Sequence, residues 1–195
     1  YLLAFDRLAA LGDYVTINVS SPNTPGLRQL QSRTALEALL GALSQRNQAL
    51  AAPRPLFVKV APDQSPIQLD QIVEAVFTAG ISGIIASNTT LARAGLRSAA
   101  RGESGGLSGQ PLTARARSTI RHLHRATEGK LPIIGVGGVA SAEDAYGHLR
   151  AGASLVQIYT ALVYQGPGLV KTLKRDLAAR LRRDGVRHLS DIIGQ

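Results

Sequence analysis

Cysteine, methionine and tryptophan are all absent from the 195 residues. Without cysteine there is no disulfide framework, thiolate nucleophile, iron–sulfur ligation or cysteine-based zinc site, so any nucleophile or base is an oxygen or a nitrogen. Without methionine there is no initiator, and the start at Tyr1 lacks the basic-then-apolar form of a signal peptide. The chain is therefore expected to be a fragment. Aromatic residues are scarce, with five Tyr and three Phe, which leaves few stacking platforms for single-stranded nucleic acid, and no zinc-finger or RNP-type signature joins them. Long apolar runs are missing too. Hydrophobic residues reach 45% and charged ones 18%, interrupted by 20 Gly and 9 Pro, a mix too apolar for a disordered tail and too broken for a membrane span. The length suffices for one core.

What is abundant is positive charge. Lys and Arg number 22 against 13 Asp and Glu, a net charge of +9. The cations gather at Arg93 to Arg101, at Arg115 to Arg125 and at Lys171 to Arg187. Without interleaved aromatics these read as solvated helix faces, and no nucleic-acid partner is expected.

Short β-branched runs alternate with longer runs of helical period, which predicts a parallel sheet with crossover helices and no second domain. Strands are expected at 14–19, 56–61, 83–87, 132–136 and 154–159. Thr34 and Glu37 suggest a capping box ahead of Leu36, Leu39, Leu40 and Leu43. Ser65 with Pro66 opens a second helix carrying Leu69, Ile72, Val73, Val76 and Phe77, which Gly80 ends. Further helices follow Thr113 and Ser141, a last one spans 169–181, and one over 1–11 precedes the first strand. An orphan helix followed by five strand-helix units fits a doubly wound sheet poorly, because that fold starts on a strand. The expected fold class is α/β, a (β/α)8 TIM barrel present as about its last five units, residues 1–195 forming a partial barrel domain.

Candidate chemistry collects at the carboxyl ends of these strands. The segment at 18–28, Asn-Val-Ser-Ser-Pro-Asn-Thr-Pro-Gly-Leu-Arg, follows the first strand, where Tyr14, Thr16 and Asn18 share a polar face. Lys59 lies within the otherwise apolar run Leu56–Ala61. It reads either as a snorkelling lysine or as a fixed cation facing negative charge on a cofactor. Ser87-Asn88-Thr89-Thr90 ends the third strand, and the long loop 91–112 holds Gly105-Gly106-Leu107-Ser108-Gly109. Gly135-Val136-Gly137-Gly138-Val139-Ala140 matches the dinucleotide fingerprint superficially, but the next strand ends in Tyr159-Thr160 instead of an acid. In a barrel the same glycines bare backbone N–H groups for a phosphate.

These motifs, together with Val-Lys-Val-Ala-Pro-Asp at 58–63 and Gly-Ala-Ser-Leu-Val-Gln-Ile-Tyr at 152–159, resemble in order those of the class 2, quinone-dependent dihydroorotate dehydrogenases over nearly the whole chain. The resemblance implies an FMN barrel that oxidises dihydroorotate to orotate in pyrimidine synthesis and passes electrons to a membrane quinone. It implies Ser21 as the base that takes the C5 proton and Thr24 as a relay. Asn18, Asn23, Asn88 and Thr89 would bind substrate, with Asn18 and Ser87 also touching flavin. Lys59 would stabilise reduced flavin, and Gly109, Gly138, Tyr159 and Thr160 would hold its phosphate. Ser87 stands where the family is expected to have Thr. Ser21, where class 1 enzymes place a cysteine, points to class 2. No metal site is expected.

The resemblance further implies that three barrel units and a membrane-docking helical element lie outside this chain, so that the 195 residues alone would neither hold FMN nor turn over. The intact protein is expected to be peripheral, at the cytoplasmic face of the inner membrane. Two other classes fit parts of the pattern. One is a phosphate-binding barrel of aldolase or isomerase type, with Lys59 as Schiff-base or acid-base group. The other is a non-enzymatic basic module for nucleic acid or acidic lipid.

Overall fold

A computed structural model describes all 195 residues. Five strands, β1 (Val15–Asn18), β2 (Leu56–Val60), β3 (Gly83–Ala86), β4 (Ile133–Val136) and β5 (Leu155–Gln157), form one parallel sheet in the order β1-β2-β3-β4-β5. Each sits inside its predicted run, trimmed at its ends. Every strand pairs with the next in the chain, which is the progression of a barrel wall; a doubly wound sheet reverses order at a switch point. The chain is an arc of five successive (β/α)8 units with unpaired edges at β1 and β5.

The pleat sorts side chains onto two faces. Ile17, Val58, Ile84 and Ile133 stand in one row across the sheet, each no more than 2% exposed. They pack against Leu36 and Leu40 of α2 (Arg33–Gln48), Leu69 and Ile72 of α3 (Pro66–Thr78), and Ile120 and Leu123 of α4 (Thr113–Ala126). Burial of each such side chain contributes about 1.5–3 kcal/mol, so this layer dominates stability. On the opposite, concave face, Asn18, Lys59, Ile85, Ile134 and Leu155 share a row. Here Leu155 is 62% exposed, because no second layer covers β5. Phe57 lies over Gly83, where an added Cβ would come within 2.4 Å of the ring, and it meets Tyr14 edge-on at 5.5 Å.

Helix starts follow local chemistry with one correction. At α3 the predicted cap forms fully: the Ser65 hydroxyl accepts from the Gln68 N–H, and the Gln68 carbonyl accepts from the Ser65 N–H. Gly80, at φ +63°, follows the helix end. The capping box expected from Thr34 and Glu37 does not form. Ser32 is the N-cap residue of α2, and Glu37 is drawn into an i,i+4 ion pair with Arg33 at 3.0 Å, a charge-assisted bond that a neutral threonine cap does not match. Ser141 caps α5 (Ala142–Ala151) as expected. Thr113 lies inside α4 instead of preceding it. The leading helix is α1 (Leu2–Leu8), tightening into a 3-10 turn over Ala9–Leu11. A short helix, α6 (Thr160–Gln165), precedes α7 (Gly168–Arg183) and had no counterpart in the sequence pattern.

Candidate functional site

The loops leaving β1, β2 and β3 meet at one end of the sheet. Asn18 ends β1 on the concave face, and its side-chain Oδ1 accepts from the Ser20 N–H at 3.3 Å, the Ser20 hydroxyl at 3.0 Å and the Asn88 amide at 3.3 Å. The Asn88 amide also donates to the Ser20 hydroxyl at 3.0 Å, while its own carbonyl accepts from the Thr89 N–H at 2.8 Å. The chain after β1 and the chain after β3 are thus stitched by side-chain amides. Ser21 is half-buried beside this network, and its hydroxyl accepts from the Asn23 N–H at 3.2 Å. The Gly105–Gly106 turn closes over the same place: a Cβ on Gly106 would strike the Thr89 hydroxyl and come within 2.8 Å of Pro22, and one on Gly105 would lie 3.3 Å from the Asn23 side chain. Thr24 is not drawn in. It is exposed at the outer turn of its loop and its hydroxyl makes no hydrogen bond to Ser21.

Lys59 is the neighbour of Asn18 in register and the only charged residue lining a cavity of about 680 Å³. Its ammonium has no hydrogen-bonded or ionic partner in the protein, and burial pushes its pKa below the ordinary 10.5. A half-buried cation without a partner is an electrostatic cost that an anionic or electron-rich ligand would offset. Ser87, Asn88, Thr89, Gly109, Gly138, Tyr159 and Thr160 line the same cavity, whose size suits an organic cofactor.

The far end of this cavity is built from backbone. Gly138, at φ +72°, is pressed against the start of α4: an added Cβ would approach the Thr113 N and Cα to 2.6 and 2.7 Å, and the Thr113 hydroxyl donates to the Gly138 carbonyl at 2.8 Å. The N–H groups of Gly138, Val139 and Tyr159 have no acceptor within the protein. Gly109, at φ +79°, faces the Thr160 methyl, and the Thr160 hydroxyl donates to the Ser108 hydroxyl at 2.9 Å, tying the long loop to the end of β5. Unpaired backbone donors at one end and a lone ammonium toward the other fit the phosphate and the ring of FMN.

Two charged residues with no expected role hold the upper rim of this site. Arg28 and Asp63 close the motifs at 18–28 and 58–63. In the fold they pair at 2.9 Å beneath the β1, β2 and β3 loops. The signal available was a charged residue of opposite sign at the end of each motif; their separation of 35 positions hid the contact.

Residues 1–181 match the family model described as dihydroorotate dehydrogenase. The chain is 55% identical over its whole length to a dihydroorotate dehydrogenase (quinone) of Roseiflexus sp. (strain RS-1), of which it covers 54%. It is 52% identical, again over its whole length, to the enzyme of the same name from Anaeromyxobacter sp. (strain Fw109-5), also covering 54%. Among solved structures, DHODH from Eimeria tenella in complex with ferulenol superimposes with a TM-score of 0.95 at 34% identity, over 99% of this chain and 56% of that one. The chain therefore spans about half the length of the curated relatives it matches.

Proposed function

The chain belongs to the dihydroorotate dehydrogenase family, in its quinone-dependent class 2 branch, and from that premise we propose that the protein oxidises dihydroorotate to orotate in pyrimidine biosynthesis. The family is flavin-dependent; we take the flavin here to be FMN and the final acceptor to be a membrane quinone. Bound FMN would supply two-electron acceptance between the substrate and the quinone.

The chain's own residues do the rest. Ser21 removes the C5 proton, so that C5–C6 becomes a double bond as the hydride leaves. The Asn23 N–H occupies one lone pair of the Ser21 oxygen and holds the hydroxyl in place. A neutral serine is a weak base, and its effect depends on position and an onward path for the proton, in which Thr24 is the proposed relay. Asn18, Asn23, Asn88 and Thr89 offer amide and hydroxyl groups to the planar substrate and its carboxylate. Lys59 provides positive charge where negative charge develops on the ring. Ser87 would contact the ring, while Gly109, Gly138, Tyr159 and Thr160 would hold the phosphate. No helix is long and apolar enough to cross a membrane. Peripheral attachment at the cytoplasmic face of the inner membrane, through a helical element outside these residues, is part of the proposal.

The observation that carries this reading is the adjacency, in one register row, of the amide network at Asn18 and the unpartnered ammonium of Lys59 on the wall of a cavity that ends in unpaired backbone N–H groups. The test is anaerobic mixing of the flavin-loaded full-length protein with dihydroorotate. Loss of the oxidised-flavin absorbance is expected, slowed about 10²–10⁴-fold in Ser21→Ala with flavin still bound. Full-speed reduction in that variant would remove Ser21 from the role.

A further inference from the structure

We propose that Arg28 and Asp63 act as a positioning pair for proton removal, locking the peptide that precedes Ser21; this rests on Ser21 being the base. Arg28 uses all three guanidinium nitrogens on three different loops. Its Nε donates to the Ser20 carbonyl at 3.1 Å, Nη1 to the Asp63 carboxylate at 2.9 Å and Nη2 to the Thr89 carbonyl at 2.8 Å. Asp63 is the matching acceptor node. It also accepts from the Thr90 hydroxyl, from the Leu91 N–H at 3.0 Å and from Arg115 at 3.3 Å. Both side chains are mostly covered, at 20% and 22% exposure.

The consequence for Ser21 is geometric. The Ser20 carbonyl and the Ser21 N–H share one peptide plane, so a guanidinium fixed on that carbonyl fixes the plane from which the Ser21 side chain departs. The Ser20 N–H and hydroxyl are held from the other side by Asn18. Arg28 reaches back over its own loop because Gly26, at φ +73°, turns the chain into the 3-10 segment Leu27–Gln31, and the Gln31 side-chain carbonyl, accepting from the Ala61 N–H at 2.9 Å, docks that segment on β2. The same guanidinium holds Thr89, a proposed substrate contact. The base and its substrate-binding partners are thereby referenced to one rigid planar group. A lysine ammonium keeps the charge but cannot satisfy acceptors in three directions of one plane.

The test uses the full-length, flavin-loaded protein with Arg28→Lys and Asp63→Asn. Expected results are flavin content and flavin reoxidation by quinone within twofold of the parent, reduction by dihydroorotate slowed about 10–100-fold, and a larger isotope effect with deuterium at C5. In Arg28→Ala, added ethylguanidinium should restore reduction where ethylammonium does not; if that variant fails to fold, Arg28→Lys decides. Without substrate, amide hydrogen exchange over residues 19–27 should accelerate. Parental reduction rates in both variants, or flavin content and reoxidation falling in step with reduction, would overturn the proposal. A parent protein that dihydroorotate does not reduce would instead overturn the functional reading, and unchanged exchange at 19–27 would then separately refute the hold of Arg28 on the loop.

Discussion

The two ends of the cavity solve recognition in opposite ways. At the tips of β1 to β3 the donors and acceptors are side chains, and they are largely spent on one another: Asn18, Ser20, Asn88, Arg28 and Asp63 form a continuous bonded web. At the tips of β4 and β5 the free donors belong to the backbone: the N–H groups of Gly138, Val139 and Tyr159, residues that line the cavity, have no acceptor within the protein. A planar substrate needs directional groups held at fixed angles, which a bonded web provides. A phosphate takes several donors converging at short range, which backbone N–H groups beside a glycine turn can provide. Lys59, between the two, is the group with no partner at all.

Substitutions can break this contrast. The largest effect is expected from Gly138→Ala in the full-length protein, because the methyl meets backbone of α4 and the residue sits at φ +72°. Flavin content should fall below about a tenth of the parent, the strain costing of order 1–3 kcal/mol before any clash. Gly102→Ala, on the long loop 91–112 and facing open space, should leave flavin content unchanged.

Asp63→Asn should come next, costing about 3 kcal/mol in urea unfolding at pH 7, since it strands a mostly covered guanidinium. Burial pushes the Asp63 carboxyl up, but hydrogen bonds from Thr90, Leu91 and Arg28 with the Arg28 charge bring it below the ordinary 3.8. A depressed carboxylate stabilises the fold above its unfolded value and loses that contribution as pH falls through the folded one. The gap between parent and Asp63→Asn should therefore hold at pH 5 and close below about pH 3.8.

Lys59→Met should have the smallest effect and the opposite sign, a gain of about 1 kcal/mol in the flavin-free protein, because it removes an unpartnered, half-buried cation. Burial favours the neutral amine, so the penalty exists below the folded pKa and disappears as pH rises through it. The gain should shrink before the ordinary value of 10.5 is reached. A destabilising Lys59→Met would mean that the ammonium has a partner in the flavin-free protein, and the contrast between bonded web and lone charge would fail.

Much of this was legible along the chain. Strand positions followed from β-branched runs bounded by turns, and the Ser65 cap from a serine directly before Pro66. Lys59 stood out because a charge interrupts an apolar strand, and Gly137-Gly138 because paired glycines at a strand end free the backbone. The missed features are of two kinds, local competition or brevity and pairing at long range. The expected cap at Thr34 lost to an ion pair that Arg33 offered Glu37. The short α6 has too few residues for a periodic signal. The Arg28–Asp63 pair joins motifs 35 positions apart, and no local rule links them.

By itself the sequence determined which residues alternate, cap, turn and leave backbone bare, because those properties depend on neighbours within a few positions. Tertiary structure alone decided which of them meet. The in-register parallel sheet sets Asn18 beside Lys59, and the barrel arc carries loops from three strands to one guanidinium. Such contacts depend on distances through space that chain separation does not encode.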